Sequence, residues 1–562
     1  MHLKNKKIQK EKKSSFKSIY PWNILACLAI TLIAYRQTFF NAFVNQDDYA
    51  YLINNTTVKS FDIYRILTEP MAGNYHPLTM FFLAIEYQIF GHAEGWYHAV
   101  DLALHLINTF LVFVIFSRLT KNEGTALIIS LLFGIHPMHV ESVAWMSETK
   151  DVLYSVFYLS AWLVYVTYIQ GTDRKTEHLW LTGSLFLLSL LSKGMAVTFP
   201  VVLLLTHYLT GVEKEKKIKT FIALIFIMAV AFGIITVIAQ QNKGAINTAI
   251  ISENGFLSFQ QYKFACYALI SYVLKFLWPV NLSSFYFYPA KDSGWLLADT
   301  AIVTLVLTIV VGLLISRYKY VIAQKHILFG TGFFIINIAL VLQLVPVGSA
   351  IMADRYSYLS YIGLFYLVAY AVNYFITKDF IKTGIKIAGT ICLLLLFYLT
   401  SAQVNTWKDS EHLWTKVIDV FPRPNAYGFR ANIYIDKKEW TKAERDLTAA
   451  IKLDPTNGEY YLGRSNVRAN LDNPADIISD CDSAIKYLAK PEYLANAYQN
   501  RGMANSLTGK TEAGIRDLKY SLNLNPALAM SCLFLGDIYD QMGNLDSAKT
   551  WYDKAKQLGA SQ

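Results

Sequence analysis

Apolar residues come in long, nearly unbroken runs between Trp22 and Ser401, and at helical spacing after Asn405. A helix of about 20 apolar residues crosses the hydrocarbon core of a bilayer. Eleven runs reach or approach that length: 22–40, 98–117, 124–142, 152–170, 178–193, 195–210, 220–239, 295–315, 327–345, 357–376 and 384–401. The two on either side of Ser192-Lys193-Gly194 are the shortest. Two connections are long, 41–97 and 240–294, and their Tyr, Trp and Phe content argues against disorder. The second holds an amphipathic aromatic stretch, Tyr262–Phe276. It reads as an interfacial helix, because as a twelfth span it would invert every later loop.

After a linker helix over 403–423 the pattern becomes periodic. Ala431, Ser465, Gly502 and Gly536 recur at spacings of 34, 37 and 34 residues, each followed twelve positions later by Ala443, Ile477, Gly514 or Ala548. Asp454-Pro455 and Asn525-Pro526 close two of the units. Small residues at these points let paired helices approach, and proline stops the second helix. This is the pattern of a tetratricopeptide array of about four units over 424–562, whose default role is protein interaction. Asn432 and Asn466 share one register on the first helix of their units. They read either as donors and acceptors for an extended acceptor peptide or as exposed polar positions.

Composition agrees with two regions in two solvents. Only 16% of the 562 residues are charged, against about a quarter in a soluble chain, and 54% are hydrophobic. The formal net charge of +10 does not mark a nucleic-acid groove, because the surplus lies in Lys4–Lys17 and in short loops between apolar runs. With the N-terminus (1–21) in the cytoplasm, the same side receives Arg118 and Lys121, Arg174 and Lys175, and Lys214, Lys216, Lys217 and Lys219. Arg317, Lys319 and Lys325, then Lys378, Lys382 and Lys386, follow on that side. An odd number of spans then puts the repeats outside. The first apolar run is long for a cleaved signal and contains Arg36, so it reads as a retained anchor. The five cysteines are scattered singly and suggest neither a metal site nor a disulfide framework.

Candidate chemistry gathers on the outer side. Asp47-Asp48 stand just beyond the first span, where one of a pair of acids can serve as a general base; the alternative is a solvated, helix-capping loop. His136, His139 and Glu141 end the third span and read as metal ligands, a proton shuttle or helix-terminal hydrogen-bonders. Lys193 can meet a phosphate or snorkel to headgroups. Arg355 can grip phosphate bidentately or pair with Asp354. His76, with Arg65 and Glu69 upstream, reads by default as part of a structural turn.

The order of these motifs resembles a known family. Asp47-Asp48, Tyr75-His-Pro-Leu78, Phe90-Gly91, Tyr97-His98 and Leu104-His-Leu-Ile-Asn108 all fit. So do Phe133-Gly-Ile-His-Pro-Met-His-Val-Glu141, Lys150-Asp151, Leu191-Ser-Lys193, Leu277-Trp-Pro-Val-Asn-Leu282, Tyr286–Pro289 and Asp354-Arg-Tyr356. The chain resembles the transmembrane and tetratricopeptide-repeat O-mannosyltransferase-like proteins of the GT-C glycosyltransferase class. Gly194 departs from the pattern, since relatives often carry a larger residue after this lysine.

That resemblance implies an all-α fold: a GT-C-like bundle over 22–402 and an outer tetratricopeptide solenoid. It implies an inverting transferase that passes a sugar from a polyprenyl-phosphate to an acceptor hydroxyl. Asp47 or Asp48 inherits the base, Lys193 and Arg355 the donor phosphate, His136, His139 and Glu141 the second outer loop, and His76 and Tyr356 the substrate lining. Base and cations make a complete set without metal or cofactor. Membrane lipids and an acceptor protein held by the repeats are the expected partners, nucleic acid is not, and a bacterial inner membrane is the expected setting. Two rivals are a non-enzymatic repeat scaffold, for which so many spans are excessive, and a lipid-linked-sugar transporter, which would place charge at mid-bilayer.

Overall fold

The computed structural model describes residues 21–242 except 72, 259–288, 302, 304, and 321–560 except 346, 347, 349, 378 and 472. The basic residues 1–20 and, apart from 302 and 304, the expected span 295–315 lie outside the described residues, as do Arg317, Lys319 and Lys378. The chain forms two compact units, Met1–Leu413 and Trp414–Gln562.

Among the described residues of the first unit seven helices are long and apolar enough to cross a membrane: Trp22–Phe40, Glu94–Thr120, Met146–Gln170, Lys216–Gln241, Gln324–Val341, Asp354–Ile376 and Phe380–Trp407. Glu123–Ile135 and Pro137–Ala144 form a pair bent by 55°, an eighth if taken as one span. All ten expected runs on described residues are helical, but three are not single straight spans. Pro137 lacks an N–H, and the chain turns there while His136 Nδ1 accepts Met138 N at 3.3 Å. Between the short helices Thr176–Ser192 and Phe199–Thr210, Lys193 is extended and Gly194–Thr198 is a 3-10 turn. A Cβ on Gly194 would meet Thr236 Oγ1 at 2.8 Å, so glycine lets helix Lys216–Asn242 lie against this break. Helices Val321–Ile338 and Ser357–Ile376 also meet backbone to backbone, for a Cβ on Gly363 would strike Phe334 N at 2.7 Å.

The helix ends sort into two groups. At one end the basic connections meet: Gln170 Nε2 donates to Arg118 O at 3.1 Å, Arg174 pairs with Glu215, and Lys217 Nζ donates to Thr176 Oγ1 at 2.6 Å. The other end carries the loop after the first helix, the bends at 136–149 and 193, and a two-stranded sheet. Strand Tyr286–Phe287 pairs antiparallel with Ala350–Met352, with Tyr286 opposite Met352. The aromatic stretch is a helix, Phe259–Leu277, not apolar enough to count among the candidate spans. Its Tyr272 OH donates to Ala353 O at 3.0 Å, while Phe259, Leu274, Leu277 and Trp278 remain exposed.

The second unit contains four helical hairpins: Pro424–Asp436 with Trp440–Leu453, Gly458–Ala469 with Pro474–Tyr487, Pro491–Leu507 with Thr511–Leu524, and Ala529–Gln541 with Leu545–Gln557. The repeating small residues Ala431, Ser465, Gly502 and Gly536 are buried. Three units also carry a buried ion pair from one helix to its mate: Arg430–Asp446 at 2.7 Å, Arg464–Asp480 at 2.6 Å and Arg501–Asp517 at 2.9 Å. Each arginine also reaches the preceding helix, donating to Thr415, Thr448 and Asp482 respectively. Helix Ser410–Val420, which lies within the linker expected over 403–423, supplies Thr415 to the first unit as the second helices of the first two units supply Thr448 and Asp482 to the next two. The fourth unit has Leu535 and Trp551 at the paired positions, so the ladder ends there.

A buried acid left without its cation is costly, whereas replacing both partners by apolar groups is often neutral. Arg430→Leu, which leaves the buried Asp446 with no other cation among the described residues, should therefore weaken the array by about 3–5 kcal/mol, and the double change Arg430→Leu/Asp446→Leu by far less. Limited proteolysis of the full chain checks the order: the single variant is cleaved fastest within 424–560.

Candidate active site where the helix ends meet

The loop after the first helix carries two adjacent acids with different surroundings. Asp48 is 1% exposed; its Oδ2 accepts Val44 N at 2.8 Å, and its Oδ1 accepts Ser147 N at 3.0 Å and the Ser147 hydroxyl. It therefore ties the first loop to the segment that starts helix Thr149–Gln170. Burial pushes its carboxyl up to about 6, against the pull of those three donors. Asp47 is partly exposed and makes no side-chain hydrogen bond or ion pair among the described residues. Its charge is felt by Lys150 and Tyr51.

Beside it lies a buried cluster of three acids and three cations. Glu148, 1% exposed, stands 3.1 Å from Lys150 Nζ, 3.4 Å from Lys193 Nζ and 3.1 Å from Arg355 Nε. Asp151 pairs with Lys193 and accepts Ser142 Oγ at 3.1 Å. Glu141 pairs with the Arg355 guanidinium and accepts Arg355 N at 3.0 Å. Asp354 instead accepts Tyr286 OH at 2.7 Å, so Arg355 is paired with Glu141 and Glu148 rather than with its neighbour. Aromatic rings cover the cations: Lys150 lies 4.6 Å from the Tyr51 ring centre, and Arg355 lies 5.3 Å from Trp145 and 5.0 Å from Tyr356. His76 stacks on Tyr51 with centroids 5.4 Å apart. Burial first, then Lys150 and Lys193, lower its pKa to about 3, which keeps the ring neutral, and its Nε2 is buried with no hydrogen-bond partner among the described residues.

Asp47, Asp48, His76, Glu141, Lys193, Arg355 and Tyr356 therefore gather at one end of the bundle. His136 and His139 do not join them. His136 Nε2 bonds Phe276 O at 3.2 Å, and His139 Nδ1 bonds Phe133 O at 2.8 Å within a box of Phe133, Tyr358, Tyr361 and Phe365. These rings knit the bent helix pair to its neighbours. Among the described residues no group of three or more His, Cys, Asp or Glu is arranged to hold a metal ion. In the repeats Asn432 is exposed, while Asn466 Oδ1 accepts Asn500 Nδ2 and is already engaged. Sequence reasoning quoted Lys150-Asp151 as a motif without giving it a role, and passed over Glu148 and the aromatic cover, Tyr51 and Trp145. The signal was present: Glu148-Thr-Lys-Asp151 puts three charges at the start of a long apolar helix.

The fold and site define an all-α, multi-pass membrane protein with tetratricopeptide repeats and a buried charge cluster at its helix ends. Residues 71–239 match the family described as dolichyl-phosphate-mannose-protein mannosyltransferase, and 424–457 and 530–558 match the tetratricopeptide repeat. The chain is 29% identical over 206 residues to protein O-mannosyl-transferase Tmtc1 of Drosophila melanogaster, covering 35% of this chain and 24% of that one. It is 23% identical over 460 residues to protein O-mannosyl-transferase F38B6.6 of Caenorhabditis elegans, covering 77% of this chain and 63% of the relative. The chain thus spans less than two thirds of the length of these relatives. The crystal structure of MamA is 21% identical over 26% of this chain and 86% of that one, with a TM-score of 0.25 that carries no argument. The resemblance read from the motifs is borne out. The matched stretch holds His76, Glu141, Glu148, Lys150, Asp151 and Lys193, with Asp47, Asp48 and Arg355 on either side of it.

Two outcomes follow from the cluster. Glu148→Gln strips the shared counter-charge from three cations and should lower thermal stability by about 3–5 kcal/mol, whereas Asp47→Asn should change it by less than about 0.5 kcal/mol. Asp48 binds its proton more tightly in the fold than in the unfolded chain. Its contribution is therefore full below pH 4 and is lost as pH rises through about 6, by about 3 kcal/mol. The stability of the wild type relative to Asp48→Asn, measured from pH 4 to 7, should fall over that window and level off above it.

Proposed function

We propose that this protein is an inverting membrane glycosyltransferase that moves a sugar from a polyprenyl-phosphate donor to a hydroxyl of an acceptor protein. The observation that carries the reading is the convergence of Lys150, Lys193 and Arg355 on Glu148, with Lys150 feeling the charge of Asp47, a carboxylate that makes no side-chain bond among the described residues. The reaction needs a base for the acceptor hydroxyl and positive charge for the departing phosphate. Asp47 takes the hydroxyl proton as the acceptor oxygen attacks the anomeric carbon. The bond from that carbon to the phosphate oxygen breaks, and the polyprenyl phosphate leaves toward the three cations. Glu141, Glu148 and Asp151 hold those cations in place before the donor binds. Asp48 acts through the loop rather than on substrate. His76, neutral and with a free ring nitrogen, supplies a hydrogen-bonding group to the donor, and Tyr356 shares the Arg355 wall.

The similarity of residues 71–239 to a mannosyltransferase family and the protein O-mannosyl-transferase relatives support the reaction class and a protein acceptor. The tetratricopeptide repeats would capture that acceptor, with Asn432 among the exposed positions. The basic connections at one end of the bundle support a cytoplasmic N-terminus and a site on the outer face, and a bacterial inner membrane is the setting proposed for it.

The test is full-length protein in lipid nanodiscs with a panel of polyprenyl-phosphate sugars. Asp47→Asn should lose about 10²–10⁴-fold in turnover with the donor KM little changed. Lys193→Ala should chiefly raise that KM. Turnover unaffected by Asp47→Asn would remove Asp47 from the base role, and no turnover with any donor would sink the transferase reading.

A further inference from the structure

The first loop is held by an unusually complete set of backbone anchors. Four successive N–H groups each find a different acceptor: Ala42 N donates to Lys408 O at 2.8 Å, and Phe43 N to Glu94 Oε1 at 3.0 Å. Val44 N donates to Asp48 Oδ2 at 2.8 Å, and Asn45 N to Ser410 Oγ at 2.9 Å. Two of the four come from residues 408–410, where the chain leaves its last apolar helix. Those residues are themselves pinned to the cluster. Trp407, 1% exposed, stacks on Trp145 with centroids 5.2 Å apart and planes 22° apart, and Trp145 carries Arg355 on its ring. Thr400 Oγ1 donates to Ile135 O at 2.6 Å and Ser401 Oγ to Ala34 O at 3.1 Å, which fix the same helix against the first span and the bent pair. Asn45 stands two residues before Asp47, so the Ser410 hydroxyl anchors the backbone close to that carboxylate.

We propose that residues 407–410 form a strap that positions the Asp47 turn, with Ser410 as a positioning residue for the base. The inference rests on the glycosyltransferase reading for its catalytic consequence, but not for its structural one. A general base must stand within hydrogen-bond reach of the proton it takes, and a small misplacement costs rate rather than affinity. Ser410 accepts through its side chain, so the anchor can be removed without touching the backbone of either segment. Threonine keeps the hydroxyl; cysteine keeps the shape with a much weaker acceptor. Ser410 also opens helix Ser410–Val420, so the start of that helix is part of the scaffold of the site.

Hydrogen exchange and turnover on the full-length protein separate the two layers. Ser410→Ala should speed exchange across 42–48 by roughly tenfold, the worth of one hydrogen bond, with loop 171–175 unchanged. Turnover should fall by roughly 10–100-fold in kcat while the donor KM stays put. Ser410→Thr should restore both, and Ser410→Cys should reproduce the alanine result should that variant fold poorly. Unchanged exchange at 42–48, or an unchanged kcat in a protein that Asp47→Asn inactivates, overturns the strap. A fall in kcat that threonine does not rescue overturns the role of the hydroxyl. If the wild type turns over no donor, the transferase reading fails, and the exchange result alone decides the strap.

Discussion

One buried carboxylate meeting three cations is the constraint on which the rest of the bundle depends. Glu148 is met by Lys150, Lys193 and Arg355, which come from the starts of two helices and the end of a third. A lone charge among apolar helices carries a desolvation cost of several kcal/mol, and only close partners offset it. The three segments are therefore tied to one point. Helix breaks supply the geometry: an extended Lys193 between two short helices, a 3-10 turn that ends at Glu148, and another at Asp354–Tyr356. Straight spans through these positions would leave the same charges stranded in hydrocarbon.

The two acids of the first loop show how one dipeptide divides its work. Asp48 faces inward and accepts one hydrogen bond from Val44 within its own loop and two that join the loop to Ser147. Asp47 makes no side-chain bond among the described residues, and its charge is felt by Lys150. Adjacent residues on an irregular turn point in different directions, so burial of one leaves the other open. A similar economy operates in the repeats. Arginine and aspartate replace apolar packing between paired helices in three units and link each unit to the helix before it. Such pairs add little net stability over a hydrophobic contact, but they make register strict.

Much of this was legible in the residues. Periods of 34 and 37 residues located all four helical hairpins, because small residues must recur wherever two helices touch. The apolar runs located every described span, since a bilayer demands length and composition that little else in a chain imitates. Lys193, Arg355 and Glu141 could be singled out because charge in apolar surroundings is rare. Their partners could not be assigned: Asp354 is adjacent to Arg355 in sequence, yet it bonds Tyr286, and Glu141, more than two hundred positions away, takes the arginine. His136 and His139 looked as chemical as Glu141, but their rings bond backbone carbonyls and pack among aromatics.

What the sequence by itself determined was the class: apolar helices for a membrane, then a solenoid of helical pairs, with acids and cations at the span ends. Local composition and period suffice for that, because solvent and helix geometry act on each segment alone. Only the tertiary structure decided which charges pair, that Pro137 bends a would-be span, and that Asp47 rather than Asp48 keeps a free carboxylate. Those outcomes depend on contacts between segments distant in the chain, where desolvation and hydrogen-bond geometry select partners that no local pattern records.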